Sequence, residues 1–256
     1  MSTDEIRTLD PGSAEPRPRG FDVTQPFPHG LPYVDLYKEK VPLLQTFHHA
    51  AASWAARQGY AGRLMSRLPL LGGGARMIAA ECGVYKGHAL IACAKIAEEL
   101  RVPITIFGLD SFAGLPPLSS TDLELAPEAA PYRDKPFFAD VSLAEVQERC
   151  AAADVAASVV LVAGFFTETL AQLPDQRYDF VHIDCDLYEP HLECLEYFYP
   201  RVKSGGIIFF DDYHSRDFPM GRKAIDTFFS SLPEQLFHIQ YGDDGSNHTK
   251  TFVVKF

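Results

Sequence analysis

An α/β architecture on a mostly parallel sheet is what the patterning of this chain calls for, on three grounds. Short apolar runs rich in β-branched and aromatic residues alternate with segments of helical period, as a parallel sheet with crossover helices requires. Two of these runs, Tyr178 to Ile183 and Ile207 to Phe210, break abruptly into acid, as Asp184-Cys185-Asp186 and Asp211-Asp212. Ligands of open α/β sheets gather beyond the carboxyl ends of the strands, so acids placed there face a crevice and not a packed core. If the two strands are parallel neighbours, up to four carboxylates share one sheet edge. Finally, the chain closes on strand-like runs over 235–241 and 250–256 joined by the turn-rich 242–247, which implies a hairpin and an antiparallel last strand.

Composition bounds the function. With 256 residues, 46% hydrophobic and 22% charged, the chain can bury one sizeable core, and a single domain is expected over 34–256. A formal net charge of -11 argues against a nucleic-acid surface, which needs clustered Lys and Arg, and favours a small-molecule partner. The cysteines Cys82, Cys93, Cys150, Cys185 and Cys194 lack CxxC spacing, and no stretch approaches the roughly 20 apolar residues of a transmembrane helix. The N-terminus also lacks the basic-then-apolar order of a secretory leader, so a reduced, cytoplasmic protein with no membrane partner is expected.

In chain order, residues 1–33 are rich in Pro, Gly and charge without hydrophobic period, and read as a flexible arm that orders only against the body or a second subunit. A homodimer or higher oligomer would supply that subunit. From Val34 to Gln58, Leu36, Val41, Leu44, Phe47 and Trp54 recur at helical steps, and Gly59 is expected to end the helix. A shorter helix over 63–71 precedes the break at Gly72-Gly73-Gly74. These helices, 34–74, are expected to cap the crevice; His48 and His49 within them read as ordinary helix histidines.

The first strand, 76–81, runs into Cys82-Gly83-Val84-Tyr85-Lys86-Gly87-His88 and a helix over 89–100. Glycines between strand and helix let the backbone approach a ligand closely, and the helix N-terminus offers free N–H groups. The spacing is not GxGxxG, and Glu81 would repel a pyrophosphate, so a cationic or neutral cofactor suits the turn better. The second strand, 104–109, ends in Asp110-Ser111, where α/β folds hold the hydroxyls of a ribose; capping of its own turn is the plainer role for Asp110. The Pro-rich, acidic stretch 112–140 shows little period and has the length of a lid. Ser142 with Glu145 forms a capping box for a helix through Ala152. After a third strand, 159–162, Gly164-Phe165-Phe166 places rings at another tip, suited either to covering a flat adenine or to core packing. A short helix near 168–173, the first acid-tipped strand, a helix over 191–199, the second acid-tipped strand and a helix over 221–232 complete an alternation of seven strands.

Taken in order, ECGVYKG, LDSFAGLP, IDCDLYEP, SGGIIFFDDY and FPMGRKAIDTF resemble the motifs of S-adenosylmethionine-dependent O-methyltransferases typified by the macrocin, mycinamicin and novobiocin enzymes, over roughly Leu36 to Leu232. The resemblance implies a class I methyltransferase fold: a Rossmann-like, mostly parallel seven-stranded sheet with a C-terminal antiparallel hairpin and an N-terminal helical cap. It also implies a divalent metal, usually magnesium, and methylation of a hydroxyl on a sugar or related natural product of antibiotic biosynthesis. Glu81 and Gly83, with Val84 and Tyr85 beside them, match the motif at the methionine part of the cofactor, and Asp110 and Ser111 match the ribose contact. Gly164, Phe165 and Asp184 complete the expected cofactor set, and Asp184, Asp211 and Asp212 match the metal-binding acids. His88, Cys185 and His214 depart from the family's pattern around the acceptor.

The residue chemistry points the same way. Carboxylates without a matching His or Cys set favour Mg²⁺, Mn²⁺ or Ca²⁺ over zinc. Such an ion would bind adjacent acceptor oxygens, lower the pKa of the attacking hydroxyl and orient it toward the methyl sulfonium. A general base must take the hydroxyl proton, with Asp184 first and Asp186, His182 and His214 behind it. A metal-dependent hydrolase of a phosphorylated or nucleotide substrate would use the same carboxylates, yet it needs cations for phosphate and the glycine turn offers only Lys86. A non-catalytic nucleotide-binding protein would leave the acid pairs idle.

Overall fold

A computed structural model describes residues 34–65, 75–132, 137–241 and 248–256. The arm expected over 1–33 and the hairpin turn over 242–247 lie outside the described residues. The strands are β1 (Met77–Cys82), β2 (Ile104–Asp110), β3 (Val159–Ala163), β4 (Tyr178–Ile183), β5 (Val202–Phe210), β6 (Leu236–Tyr241) and β7 (His248–Val254). They form one sheet in the order β3-β2-β1-β4-β5-β7-β6, in which β1 to β5 are parallel and β7 runs antiparallel to both of its neighbours. The expected hairpin and antiparallel last strand are both present. Strand order reverses between β1 and β4, and that reversal opens a crevice at their carboxyl ends.

Helices α1 (Val34–Met65), α2 (His88–Glu99) and α4 (Leu143–Ala152) contribute to the core on one face, with Phe47, Leu90, Ile91 and Val146 around Phe180 and Phe209. On the other face α6 (Tyr188–Phe198) and α7 (Met220–Phe229) bury Leu195, Phe198, Ile225 and Phe229 against Tyr178, Val181 and Phe210. Cover on both faces explains why β4 is buried at all six positions and reads as a nearly continuous apolar run. Its one acid, Asp179, accepts from the Ile78 N–H at 2.9 Å and from Lys203 Nζ at 2.8 Å, so it is answered where it is buried.

Some expectations change. Gly59 does not end the first helix: α1 continues to Met65, and residues 66–71 of the second helix lie outside the described residues. A glycine costs a helix only about 1 kcal/mol, and the packed stretch from Leu43 to Trp54 anchors this one. In its described middle stretch α1 packs across a face of the sheet, where Phe47 meets Phe180 edge-on at 5.1 Å. The stretch 112–140 is not featureless either. Ser119 and Asp122 form a capping box for α3 (Ser120–Leu125), and a short 3-10 helix follows over Pro127–Tyr132. Ser142 and Glu145 cap α4 as expected. The helix expected from His191 begins at Tyr188, since Pro190 occupies its first turn, where a missing N–H costs nothing. The remaining short helix, α5, spans Phe166–Thr169.

Candidate active site

Backbone hydrogen bonds align the strand tips. Gly164 N–H donates to Asp110 O, Gly83 N–H to Leu109 O, Asp184 N–H to Cys82 O and Asp211 N–H to Ile183 O, all at 2.9–3.0 Å. Each ladder is thereby carried one residue past its strand, and Gly164, Asp110, Gly83, Asp184 and Asp211 lie along one edge. They border a cavity of about 640 Å³. All of the sequence-named cofactor residues line it: Glu81, Gly83, Val84, Tyr85, Asp110, Ser111, Gly164, Phe165 and Asp184. Asp186, Asp211 and Asp212 line it too, whereas His214 does not.

On the β1–β2 side the turn is held by backbone groups. Gly83 has φ +90°, and a Cβ there would stand 1.7 Å from the Asp184 carbonyl oxygen, so a protein neighbour already requires glycine at this position. Asp110 accepts from Tyr85 N–H at 2.8 Å through Oδ2 and from Phe112 N–H at 2.7 Å through Oδ1. It therefore performs the turn-capping role and borders the cavity at once. Ser111 Oγ donates to Gly114 O at 2.6 Å and accepts from Ala113 N–H at 3.0 Å. Asp140, at the end of the acidic stretch, accepts from Tyr85 Oη at 2.7 Å and pairs with Lys86 Nζ at 2.9 Å. Phe165 stands 38% exposed, so its ring is available at the cavity wall and is not spent in the core.

On the β4–β5 side the arrangement is made by charge. The register pairs His182 with Glu81 on β1 and with Phe209 on β5, and the two-residue period of a strand places Asp184 and Asp211 on the same side, one step further out. His182 is buried, with Nδ1 at 3.7 Å from Glu81 and Nε2 at 3.8 Å from both Asp184 and Asp211. These distances exceed hydrogen-bond length, so the link is electrostatic. Burial alone would lower the His182 pKa, but Asp211 and Glu81, helped by Asp184, outweigh it and raise it to about 9. A ring protonated at neutral pH is a poor general base, and His182 serves instead as the positive floor of the acid cluster.

His182, Asp184 and Asp211 bring one donor atom each within 4.8 Å of one another. Asp211 is also held by Lys250, whose Nζ donates to Oδ2 at 2.7 Å and to the main-chain oxygen at 3.0 Å. Asp212, grouped with these acids in the sequence, does not join them. Its Oδ2 accepts from the Asp186 N–H at 3.0 Å and lies 3.6 Å from His191 Nε2, because residue 212 already turns away into the next 3-10 segment. His191 Nδ1 lies 2.8 Å from Leu187 O and burial lowers its pKa to about 4, so it is neutral. Cys185 between the acids stays a thiol, its pKa raised to about 12 by burial. His214 sits outside the cavity lining, with Nε2 at 3.2 Å from His238 Nδ1; burial and then His238 lower its pKa to about 4. Of the bases named in the sequence, Asp184 and Asp186 remain at the cavity. Sequence reasoning missed Lys250 and undervalued His182, although a histidine two residues before a tip acid shares its strand face, a signal that could have found it.

Residues 77–241, more than half of the chain, match the family described as macrocin-O-methyltransferase. Mycinamicin III 3''-O-methyltransferase of Micromonospora griseorubida is 29% identical over 136 residues, 52% of this chain and 54% of that protein. Demethyldecarbamoylnovobiocin O-methyltransferase of Streptomyces niveus is 32% identical over 136 residues, 52% of this chain and 51% of that protein. The chain thus spans about half the length of the curated relatives it matches. The solved structure of the O-methyltransferase NovP superposes with a TM-score of 0.60 at 21% identity, covering 84% of this chain and 80% of that one, and shows the same fold.

Proposed function

This chain belongs to the macrocin-O-methyltransferase family, and from that premise we propose that it transfers the methyl group of S-adenosylmethionine to a hydroxyl of a sugar or another natural product of the kind its relatives are named for. The observation that carries this reading is the alignment, around one cavity, of an anionic glycine turn with the acid pair Asp184 and Asp211. Glu81 and Gly83 suit the cationic methionine end of the cofactor, Asp110 its ribose and Phe165 its flat base. Lys86, the only cation in the turn, lies against Asp140, which leaves the hydrolase reading without a phosphate ligand there.

A divalent ion fits the acid pair, since Asp184 and Asp211 offer hard oxygens close together. Asp184 and Asp211 would hold it, and when bound it would supply Lewis acidity that makes the acceptor hydroxyl easier to deprotonate. Asp184 accepts the hydroxyl proton as the oxygen takes the methyl group, and the cofactor leaves as a neutral thioether. The described parts of the 112–140 stretch border the cavity through Leu115, Pro116, Asp122 and Phe138, and would help to shield it from water. Calorimetry with S-adenosylmethionine and turnover on a panel of glycosides and vicinal diphenols test the proposal. Cofactor binding should persist in excess chelator while turnover stops and returns with magnesium. Full turnover in chelator would remove the metal from the mechanism, and no cofactor binding would remove the methyltransferase reading.

A further inference from the structure

We infer that Lys250 is a resident cation of the acid cluster, holding Asp211 in competition with a divalent ion and so setting the affinity of the metal site. This rests on the metal reading above. β7 is the one strand that runs against the rest, so its beginning meets the carboxyl tip of β5: Thr251 pairs with Phe210, and Lys250 falls level with Asp211. Its ammonium grips Asp211 twice, through the carboxylate at 2.7 Å and the main-chain oxygen at 3.0 Å. Both side chains are largely out of solvent, 15% and 13% exposed, so the pair is weakly screened. The Asp211 carboxylate is thereby divided. Oδ2 belongs to Lys250, and Oδ1 faces His182 at 3.8 Å within the donor group.

Glu81, Asp184 and Asp211 crowd negative charge into a partly buried spot, where uncompensated charge is costly. Lys250 offsets part of it and lets the cluster stand without metal. The same ammonium repels an arriving dication and retains an oxygen that could ligate it. Removing it should make the cluster less stable when empty and more avid for an ion, a pairing that a merely structural lysine would not produce.

The test uses the full chain, titrated with Mn²⁺ alone by calorimetry and unfolded thermally with and without the ion. Lys250→Met should unfold at lower temperature without metal and bind Mn²⁺ roughly tenfold more tightly, within the range by which groups behind a ligand alter affinity. Mn²⁺ should restore more of its thermal midpoint than of the parent's, and Lys250→Arg should match the parent. Unchanged S-adenosylmethionine affinity certifies the fold, and Lys250→Gln replaces the Met variant if that one does not fold. Mn²⁺ bound no more tightly by the variant than by a binding-competent parent overturns this inference alone. Absence of binding to both proteins overturns the metal reading with it.

Discussion

At the tips of β1 and β2 the cavity wall is made of main chain: Gly83 packs on a carbonyl, and Asp110 gathers two backbone N–H groups into one turn. At the tips of β4 and β5 the wall carries the acids Glu81, Asp184 and Asp211, backed by the cations His182 and Lys250, and these five residues come from four strands. The first side is rigid because its geometry is set by sterics and short hydrogen bonds. The second is poised, since each acid is balanced by a cation and a change in one alters the rest. This division suits the proposed function, in which one side binds the cofactor and the other activates a hydroxyl.

Gly83→Ala should break both sides together and have the largest effect. A Cβ at φ +90° and 1.7 Å from the Asp184 oxygen forces backbone apart from backbone, so a loss of more than about 3 kcal/mol in denaturant unfolding is expected. Near-parental stability would show that the β1 turn can yield.

Asp184→Asn should spare the β1–β2 side and strike the other, lowering single-turnover rates about 10²-fold or more, because an amide cannot accept the proton at neutral pH. The deficit should persist across a magnesium titration, whereas Asp212→Asn should lose less. Rescue of Asp184→Asn to the parental rate at high magnesium would make Asp184 a ligand only and shift the base to Asp186.

Asp110→Ala reverses the comparison. It should weaken S-adenosylmethionine about tenfold to a hundredfold through lost charge-assisted hydrogen bonds, while Mn²⁺ affinity stays parental. An unchanged cofactor dissociation constant would reduce Asp110 to its turn-capping role. Asp140→Ala is the smallest: its pair with Lys86 is solvent-exposed, and cofactor affinity should change by less than about fivefold. A larger change would give the 112–140 stretch a bigger share in cofactor binding than its exposed contacts suggest.

Much of this is legible in the sequence. The alternation of periods, the acid tips, the hairpin and the Ser142–Glu145 cap are local patterns, and burial on both faces of a sheet is written directly into runs such as Tyr178 to Ile183. Asp110, Asp184 and Asp211 were legible for the same reason, since an acid that ends an apolar strand has one place to go. Which charges meet was not, because partners in a sheet are chosen by strand order and register, and these join residues with no sequence relation. Only the tertiary structure slid β7 between β5 and β6 and so brought Lys250 to Asp211. Only it placed His182 between Glu81 and the two acids, and committed Asp212 to the Asp186 N–H while its neighbour faces the cluster. Local sequence determined where the strands end; long-range pairing decided what stands beside each end, because electrostatic neighbours are made by contact across the sheet and not by spacing along the chain.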